Sequence, residues 1–253
     1  MNRCWAASLG NCSDKISREH IITEGLFLDE KIRVKGLPWC RDKFREIGHA
    51  GNVKKVLCTV HNSLLSEVDD TAIALAKALR ETVELVNRFK VSGVQPGVTK
   101  VVKIDGFKLE RWFLKTLITN AAGGTFLVGK DAVVPGSPPL GLVEVAFGLR
   151  RFQAPAGLYV IGEPGEKWSE DGVRITTFGD RAGMHAGARF WFRGVDFMLL
   201  LHGKGLGNFI FTSLDGKETT QIPARYHPSA VNLGAGNQLL QSIQLIWNHI
   251  ETT

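Results

Sequence analysis

Apolar residues recur at helical spacing along one long segment of the chain, between Asn62 and Lys90. Ser66 and Asp69 stand near its start with the spacing of a capping box. The pattern predicts a long amphipathic helix whose apolar side packs on the core or on another subunit. The residues of this stripe, which step by three or four, are Val68, Ala72, Leu75, Leu79, Val83 and Val86.

A linker that contains glycine and proline follows this helix at residues 92–97 and marks the predicted domain boundary. The next residues predict a strand, Val98–Ile104, and then a helix from about Lys108 to Asn120. Basic residues of this second helix, Lys115 among them, stand beside Trp112 and Phe113. Such an arrangement can grip nucleic acid, but amphipathic packing explains it with fewer assumptions.

From Thr125 to Val231 the pattern changes to alternating β-formers separated by turns that contain glycine, which predicts an antiparallel sheet or a small barrel. Residues 203–207 match neither the P-loop nor the dinucleotide spacing and are interpreted as a hairpin loop. A final helix is predicted at about Gln238–Glu251, and a short strand with one basic face at Lys31–Lys35. The strands predicted in this half are Gly157–Glu163, Val173–Phe178, Ala188–Arg193, Phe197–His202 and Phe209–Ser213.

These patterns predict an α+β protein with two domains, residues 1–92 and residues 98–253. His185, His202 and His227 have no carboxylate or cysteine neighbours at ligand spacing, so they are interpreted as packed or surface residues. The sequence assigns no chemistry to the second domain, which we expect to recognise a target, a regulatory protein or a regulatory ligand.

Composition adds a preference for a polyanionic partner. The chain has 253 residues and a net charge of +6, and the excess lies in residues 1–115, with 20 Lys and Arg against 14 Asp and Glu. Lys and Arg neutralise phosphates and release counterions, so we expect a polyanionic partner, DNA or RNA. The start of the chain has no apolar segment of the kind found in signal peptides, and the strongly apolar run Phe197–Leu201 is too short to span a membrane. These features predict a cytoplasmic protein that is not bound to a membrane, and an oligomer is possible.

Four residues near the N-terminus have the chemistry of a structural zinc site. Cys58 and His61 have the Cys-x2-His spacing of a zinc knuckle, and with Cys4 and Cys12 they complete a Cys3His set. Cys4 and Cys12 alone could equally be buried free thiols. Cys40 is a spare ligand, and if it replaced His61 in the zinc site, His61 would approach a catalytic metal instead.

Read in order, the N-terminal residues resemble the motif of the HNH nucleases, which have the ββα-metal fold. The family pattern is a cysteine pair, Asp/Glu-His-Ile, and an asparagine followed by Leu-Cys-x2-Cys and Asn or His at the start of a helix. The corresponding residues here are Cys4 and Cys12, Glu19-His20-Ile21, Asn52 and Leu57-Cys58-x2-His61-Asn62. The resemblance covers about the first 90 residues, with a wider first pair and a histidine in place of the last cysteine.

The resemblance implies a role for each residue of the motif. His20 is expected to be the general base that activates water, and Glu19 and Asn62 to bind a catalytic Mg2+ or Mn2+ ion. Asn52 is expected to orient the His20 ring. The basic residues around the motif, Arg18, Lys54 and Lys55, are expected to contact nucleic acid.

Two functions from different classes follow from these expectations. The first is a metal-dependent HNH endonuclease that hydrolyses DNA, in a setting such as bacterial restriction or phage defence, which the resemblance suggests. The second is a zinc-stabilised nucleic-acid-binding module, or a subunit of a larger complex, in which the nuclease residues are idle.

Overall fold

The computed structural model describes residues 4–26, 31–34, 43, 45–92, 99–124, 127–162, 173–179, 184–192, 194–202, 208–212, 219–235 and 238–248. They form a mixed fold of helices and sheets, in agreement with the predicted α+β class. The helices are α1 (Thr59–Leu64), α2 (Ser66–Ser92), α3 (Gly106–Ala121) and α4 (Leu140–Ala146). The strands are β1 (Glu19–His20), β2 (Lys31–Val34), β3 (Arg45–Gly48), β4 (Val53–Lys54), β5 (Lys100–Asp105), β6 (Leu127–Val128), β7 (Gly157–Ile161), β8 (Val173–Gly179), β9 (Met184–Phe192), β10 (Val195–Leu200), β11 (Asn208–Thr212), β12 (Thr219–Tyr226), β13 (Ala230–Ala235) and β14 (Gln238–Ile246).

The described strands are arranged in four sheets. Strands β1 and β4 form one antiparallel pair, and β2 and β3 form another. The largest sheet has the order β11-β12-β7-β10-β9-β6, with β8 also paired to β9, and is antiparallel except where β6 joins β9. The strands predicted between Thr125 and Val231 are therefore confirmed, with their ends shifted by a few residues. Residues 203–207, interpreted as a hairpin loop, lie outside the described residues.

The third sheet corrects the prediction of a final helix. Residues 238–246 form the central strand of a sheet of order β13-β14-β5, and β14 runs parallel to β5. Ile243 is fully buried as predicted, but Leu239 and Ile246 of the expected apolar side are 46% and 37% exposed. The spacing of apolar residues in this segment fits both a helix and a strand, and pairing with β5 far back in the chain decides for the strand.

Helix α3 lies at the centre of the molecule and is buried along nearly its whole length. Its N-cap is Asp105, whose carboxylate accepts a hydrogen bond from the Lys108 N–H at 3.0 Å. The Phe113 ring packs 4.7 Å and 5.0 Å from the rings of Phe190 and Phe197 in the large sheet. Amphipathic packing, the interpretation preferred from the sequence, therefore accounts for this helix.

The long helix α2 buries the predicted stripe, since the side chains of Val68, Leu75 and Leu79 are inaccessible to solvent. The predicted capping box is not formed. The Ser66 hydroxyl donates to the Ser63 carbonyl at 2.9 Å, because α1 ends directly before α2 and supplies acceptors there. The Asp69 carboxylate instead forms an ion pair with Lys115 of α3.

Buried apolar residues on both sides of residue 92 belong to one continuous cluster, which runs from Cys4 and Leu65 to Phe113 and Ile243. Helix α2 also reaches the third sheet, where the Thr82 hydroxyl hydrogen-bonds the Gln241 side chain. The division into domains at residues 92–98 stays a prediction. This packing brings residues of α3 against the N-terminal strands that carry the motif.

Candidate metal centre and the adjoining carboxylate network

The four predicted zinc ligands lie together. The Nδ1 atom of His61 is 3.3 Å, 3.6 Å and 3.2 Å from the Sγ atoms of Cys4, Cys12 and Cys58, and all four ligand atoms lie within 4.8 Å of one another. In a tetrahedral zinc site a sulfur and a nitrogen ligand are about 3.5 Å apart, given metal–ligand bonds of about 2.3 Å and 2.0 Å. The Cys3His cluster therefore has the donor atoms and spacing to hold a metal ion such as zinc.

The wide spacing of the first two cysteines is explained by the backbone between them. The N–H of Trp5 donates to the Val56 carbonyl at 2.8 Å and holds the start of the chain against the segment that carries the other two ligands. A 3-10 turn then leads to Gly10 and Asn11, whose φ angles are +78° and +50°. Glycine and asparagine tolerate this left-handed conformation, which reverses the chain and returns Cys12 to the cluster.

The other two ligands are fixed by the start of α1. Cys58 is the N-cap of this helix, and its Sγ accepts a hydrogen bond from the His61 N–H at 3.5 Å. The His61 ring also packs edge-on against Phe147, with 5.4 Å between the ring centres. His61 rather than Cys40 is thus the fourth member of the cluster among the described residues, and Cys40 lies outside them.

Two thiols of the cluster differ in acidity. Burial raises the pKa of the Cys4 thiol to about 12. Burial also acts to raise the pKa of Cys58, but hydrogen bonds from the backbone of His61 and Ser13 stabilise the thiolate and bring it down to about 6. Because zinc binds thiolates, Cys58 is ready to bind at neutral pH, whereas Cys4 would release its proton to the solvent as the metal binds.

Glu19 and His20 lie on the short strand β1, opposite Lys54 and Val53 of β4. Neighbouring side chains of a strand point to opposite faces. Glu19 accordingly faces inward and is 3% exposed, whereas His20 is only partly buried. The order strand, strand, helix formed by β1, β4 and α1 is the one that the ββα resemblance implies.

Lys115 provides the cation that pairs with Glu19. Its Nζ lies 2.6 Å from Glu19 Oε1, and 2.8 Å and 2.6 Å from the two carboxylate oxygens of Asp69. The side chains of Lys115 and Glu19 are 3% and 4% exposed. Burial raises the pKa of Glu19, and the ammonium of Lys115 counteracts that rise. The Lys115 ammonium thus binds the carboxylate that the HNH resemblance assigns to a divalent metal ion.

The network continues from Asp69 to the centre of the molecule. The Thr23 hydroxyl donates to Asp69 Oδ1 at 2.5 Å, and the indole N–H of Trp112 donates to Thr23 Oγ1 at 2.8 Å. We call the five residues Glu19, Lys115, Asp69, Thr23 and Trp112 the Lys115 network. It links β1 to both long helices, α2 and α3. The position of Glu19 and His20 therefore depends on α3.

The remaining residues of the motif are placed as follows. The Nε2 atom of His20 lies 3.6 Å from Glu24 Oε2, and the His20 side chain is 30% exposed. Asn62 is in α1, next to the cluster, and partly buried. Asn52 is fully buried, and its side chain donates to the Ile22 carbonyl at 2.5 Å and accepts from the Ile22 N–H at 3.3 Å. The amide of Asn52 thus holds the backbone that follows His20, and the expectation that Asn52 orients the His20 ring stays a prediction.

The three basic residues expected to contact nucleic acid fall into two groups. Arg18 and Lys55 are exposed. The Nζ atom of Lys54 instead donates to the carbonyl oxygens of Asn120 and Ala122, at 2.5 Å and 3.5 Å, at the end of α3. Burial lowers the pKa of Lys54. Lys54 thus satisfies carbonyl groups that a helix end leaves without partners.

Sequence reasoning missed the partners of Glu19 and one further pair. His227, interpreted as a lone packed residue, has its Nε2 atom 2.8 Å from Glu110 Oε2 and its ring stacked on Trp247. No local spacing indicates this pair, since the two residues are 117 positions apart. For Lys115 no local signal was available, because Lys108, Arg111 and Lys115 follow one another at helical spacing, as on an exposed basic side.

The described part of the chain holds one candidate metal site and no helix that could span a membrane. The Cys3His cluster is the one group there with three or more His, Cys, Asp or Glu ligand atoms close enough to share an ion. No described helix has the length and apolar character that crossing a membrane requires. A scan of protein-family models and searches of the curated proteins and of the solved structures found no match to this chain.

Proposed function

We propose that the chain is a zinc-stabilised endonuclease of the HNH type that hydrolyses phosphodiester bonds in DNA. One observation carries the proposal: Cys4, Cys12, Cys58 and His61 form a Cys3His cluster, and Cys58 pairs with Ile16, three residues before the strand that carries Glu19 and His20. Strands β1 and β4 and helix α1 occur in the order that the HNH resemblance implies, with β2 and β3 between the two strands. The proposal includes zinc as the metal of the cluster.

In this proposal His20 takes the proton from the attacking water. Its side chain is partly open to solvent, and a carboxylate oxygen of Glu24 at 3.6 Å can orient the ring and stabilise the imidazolium that forms. Arg18 directly precedes β1 and Lys55 directly follows β4, and both side chains are exposed near the strand that carries the proposed general base. They would bind the phosphates on either side of the scissile bond.

The carboxylate of Glu19 does not fit the expected catalytic Mg2+ or Mn2+. Such an ion keeps several water molecules and needs an accessible oxygen ligand. Glu19 is buried and already paired with Lys115. We therefore assign Glu19 a structural role through Lys115, and leave the ion out of the roles given to the residues.

Cleavage of supercoiled plasmid tests the proposal. Purified protein with zinc in the cluster is incubated with Mg2+ or Mn2+, beside an EDTA control, the His20→Ala variant and a Glu84→Ala control on the exposed side of α2. We expect nicking that falls at least a hundredfold in His20→Ala, as loss of a general base requires, and is unchanged in Glu84→Ala. Equal cleavage by wild type and His20→Ala would exclude His20 as the base.

One observation favours the second function, a nucleic-acid-binding module. The occupation of Glu19 by Lys115 removes one of the two metal ligands that the resemblance implies. Under this alternative the plasmid is bound but not cut.

Lys54 and Lys55 form a matched pair for testing the DNA surface. Both are lysines of the same segment, but only the Lys54 ammonium is engaged by carbonyl groups of α3. We expect Lys55→Ala to weaken DNA binding several-fold and to leave the urea midpoint unchanged. Lys54→Ala should do the reverse, and fluorescence anisotropy with a labelled duplex measures the first effect. The same loss of affinity in both variants would mean that Lys54 reaches the DNA.

A further inference from the structure

A cleft of about 580 Å3 opens on the side of the molecule formed by α4 and the loop that follows it. Its volume is in the range of about 300–1,000 Å3 found for sites that bind small molecules. Val145 and Leu201 form a buried apolar floor, and the partly buried Phe152 ring lies on its wall. The cleft can therefore take an organic ligand with a flat apolar part.

The rim of this cleft is positively charged. Lys130, Arg150 and Arg151 line it together with one carboxylate, Asp131, so three positive charges face one negative charge. Arg150 Nη1 is also 3.9 Å from a carboxylate oxygen of Glu144, but both side chains are substantially exposed and solvent weakens this pair. The rim favours an anion.

The guanidinium of Arg151 is held in place without being neutralised by that contact. Its Cζ atom lies 4.0 Å above the centre of the Phe107 ring, which lines a smaller adjoining cleft, so this cation–π contact holds the Arg151 charge at the boundary between the two clefts. Arginine binds phosphate through two parallel hydrogen bonds, and an arginine that is already oriented loses less entropy when it does so.

A smaller cleft of about 280 Å3 shares Arg150 and Arg151 with the first. Its other cations, Lys108 and Arg111, are both paired with Glu67, at 2.9 Å and 3.0 Å. The smaller cleft therefore has less uncompensated positive charge with which to bind an anion, and the larger cleft is the better site.

His202 adds a polar group to the apolar part of the larger cleft. It lines the cleft, and its Nε2 atom is buried without a hydrogen-bond partner among the described residues. A buried polar atom of this kind is costly unless a ligand or water binds it. Because this atom is not accessible to solvent in the structure, the His202 ring has to turn toward the cleft before the base or sugar of a nucleotide can bind it.

We infer that this cleft is a binding site for a mononucleotide, with the phosphate on Arg150, Arg151 and Lys130 and the base against Phe152 and His202. Both parts of the ligand are required by the site, since the rim matches the phosphate and the wall matches the flat base. The binding is independent of the proposed nuclease and can be measured whether or not the protein cuts DNA.

Isothermal titration calorimetry of the full chain tests this inference. AMP, GMP, CMP and UMP are titrated separately without divalent cations, beside adenosine and inorganic phosphate. We expect at least one nucleotide to bind at least tenfold more tightly than either fragment. Arg150→Ala/Arg151→Ala and the exposed Lys130→Glu should each weaken that binding at least tenfold, while Lys77→Ala on the exposed side of α2 leaves it unchanged. Circular dichroism and the urea midpoint show whether the variants are folded.

Three results would overturn the inference. The first is that none of the four nucleotides binds with a Kd below about 1 mM. The second is that adenosine or phosphate binds as tightly as the nucleotide. The third is that a folded Lys130→Glu variant keeps full affinity. If the double arginine variant fails to fold, Lys130→Glu alone decides the outcome.

Discussion

The Cys3His cluster and the Lys115 network are two largely buried sets of ionisable groups, and they differ in how their negative charge is compensated. In the cluster, three thiols and an imidazole lie with their donor atoms at the spacing of metal ligands. In the network, two carboxylates lie around an ammonium that α3 provides. A buried anion requires a cation, and among the described residues a side-chain cation is paired only with the second set.

This difference determines what each set can contribute. A metal site links distant segments only while the ion is bound, so the stability of the cluster depends on metal and on pH. The Lys115 network is complete within the chain and holds β1 against α2 and α3 without an external ion. If His20 is the general base, the first set fixes α1 beside it and the second fixes the strand that carries it.

The largest effect is expected when the cluster is broken. Cys58→Ser should lose the metal and, with it, the ordered loop between Cys4 and Cys12, because this loop has just two buried apolar residues, Trp5 and Ala6, to hold it. Cys40→Ser is the matched control and should keep one equivalent of metal. Metal content is measured by mass spectrometry of the purified proteins, and near-ultraviolet circular dichroism reports the packing of Trp5.

Two results would contradict this expectation. If Cys58→Ser keeps its metal and its spectrum, the four residues are a packed polar cluster and not a metal site. If Cys40→Ser loses the metal as well, Cys40 belongs to the ligand set, as the sequence allowed.

The second largest effect is expected in the Lys115 network. Lys115→Met leaves Glu19 and Asp69 close together without a cation, and loss of one partner of a buried pair costs about 3–5 kcal/mol. The double variant Glu19→Gln/Lys115→Met removes the more deeply buried of the two uncompensated charges, leaves that of Asp69, and should recover part of this loss. Urea unfolding of the wild type, both single variants and the double variant gives the coupling energy.

Additive effects in that cycle would contradict the pairing of Glu19 with Lys115. The outcome also affects the proposed catalysis. If Lys115→Met folds and its plasmid cleavage becomes more dependent on Mg2+, the ammonium and a metal ion compete for the Glu19 carboxylate, and the structural role assigned to Glu19 is wrong.

The two sets also differ in how far the sequence predicts them. The ligands of the cluster follow from cysteine and histidine spacing, because thiols in such patterns have few other uses, and the structure brings Cys4, Cys12, Cys58 and His61 together. Lys115 could not be assigned to Glu19, because the two meet only after α3 packs on β1 and nothing in the local pattern encodes that contact.

A contact between residues far apart in sequence also explains why residues 238–246 were predicted as a helix and form a strand. Residues 238–246 have apolar residues that fit two periodicities, and the parallel partner β5 lies about 140 positions earlier. The strands between Val173 and Thr212 were easier to predict, because each pairs with a close neighbour in sequence and glycines mark the turns.

The smallest effect is expected at an exposed ion-pair contact between the same two helices. Glu67 of α2 accepts charged hydrogen bonds from Lys108 and Arg111 of α3, and Lys108 is the main cause of its lowered pKa. The Glu67 side chain is 47% exposed, so solvent limits the stabilisation to about 0.5 kcal/mol. Glu67→Gln should lose this amount at pH 7, and Glu84→Gln on the exposed side of α2 should lose nothing.

The pH dependence of this contact separates it from the two buried sets. A carboxyl group with a lowered pKa in the folded state stabilises the protein above its ordinary value of 4.5, and the stabilisation disappears as the pH falls through the folded value. The difference between wild type and Glu67→Gln, measured by urea unfolding from pH 7 to pH 3, should therefore shrink toward zero in acid. Metal loss from the cluster affects both proteins equally and cancels in the difference. A difference that stays constant with pH would mean that Glu67 acts through packing and not through charge.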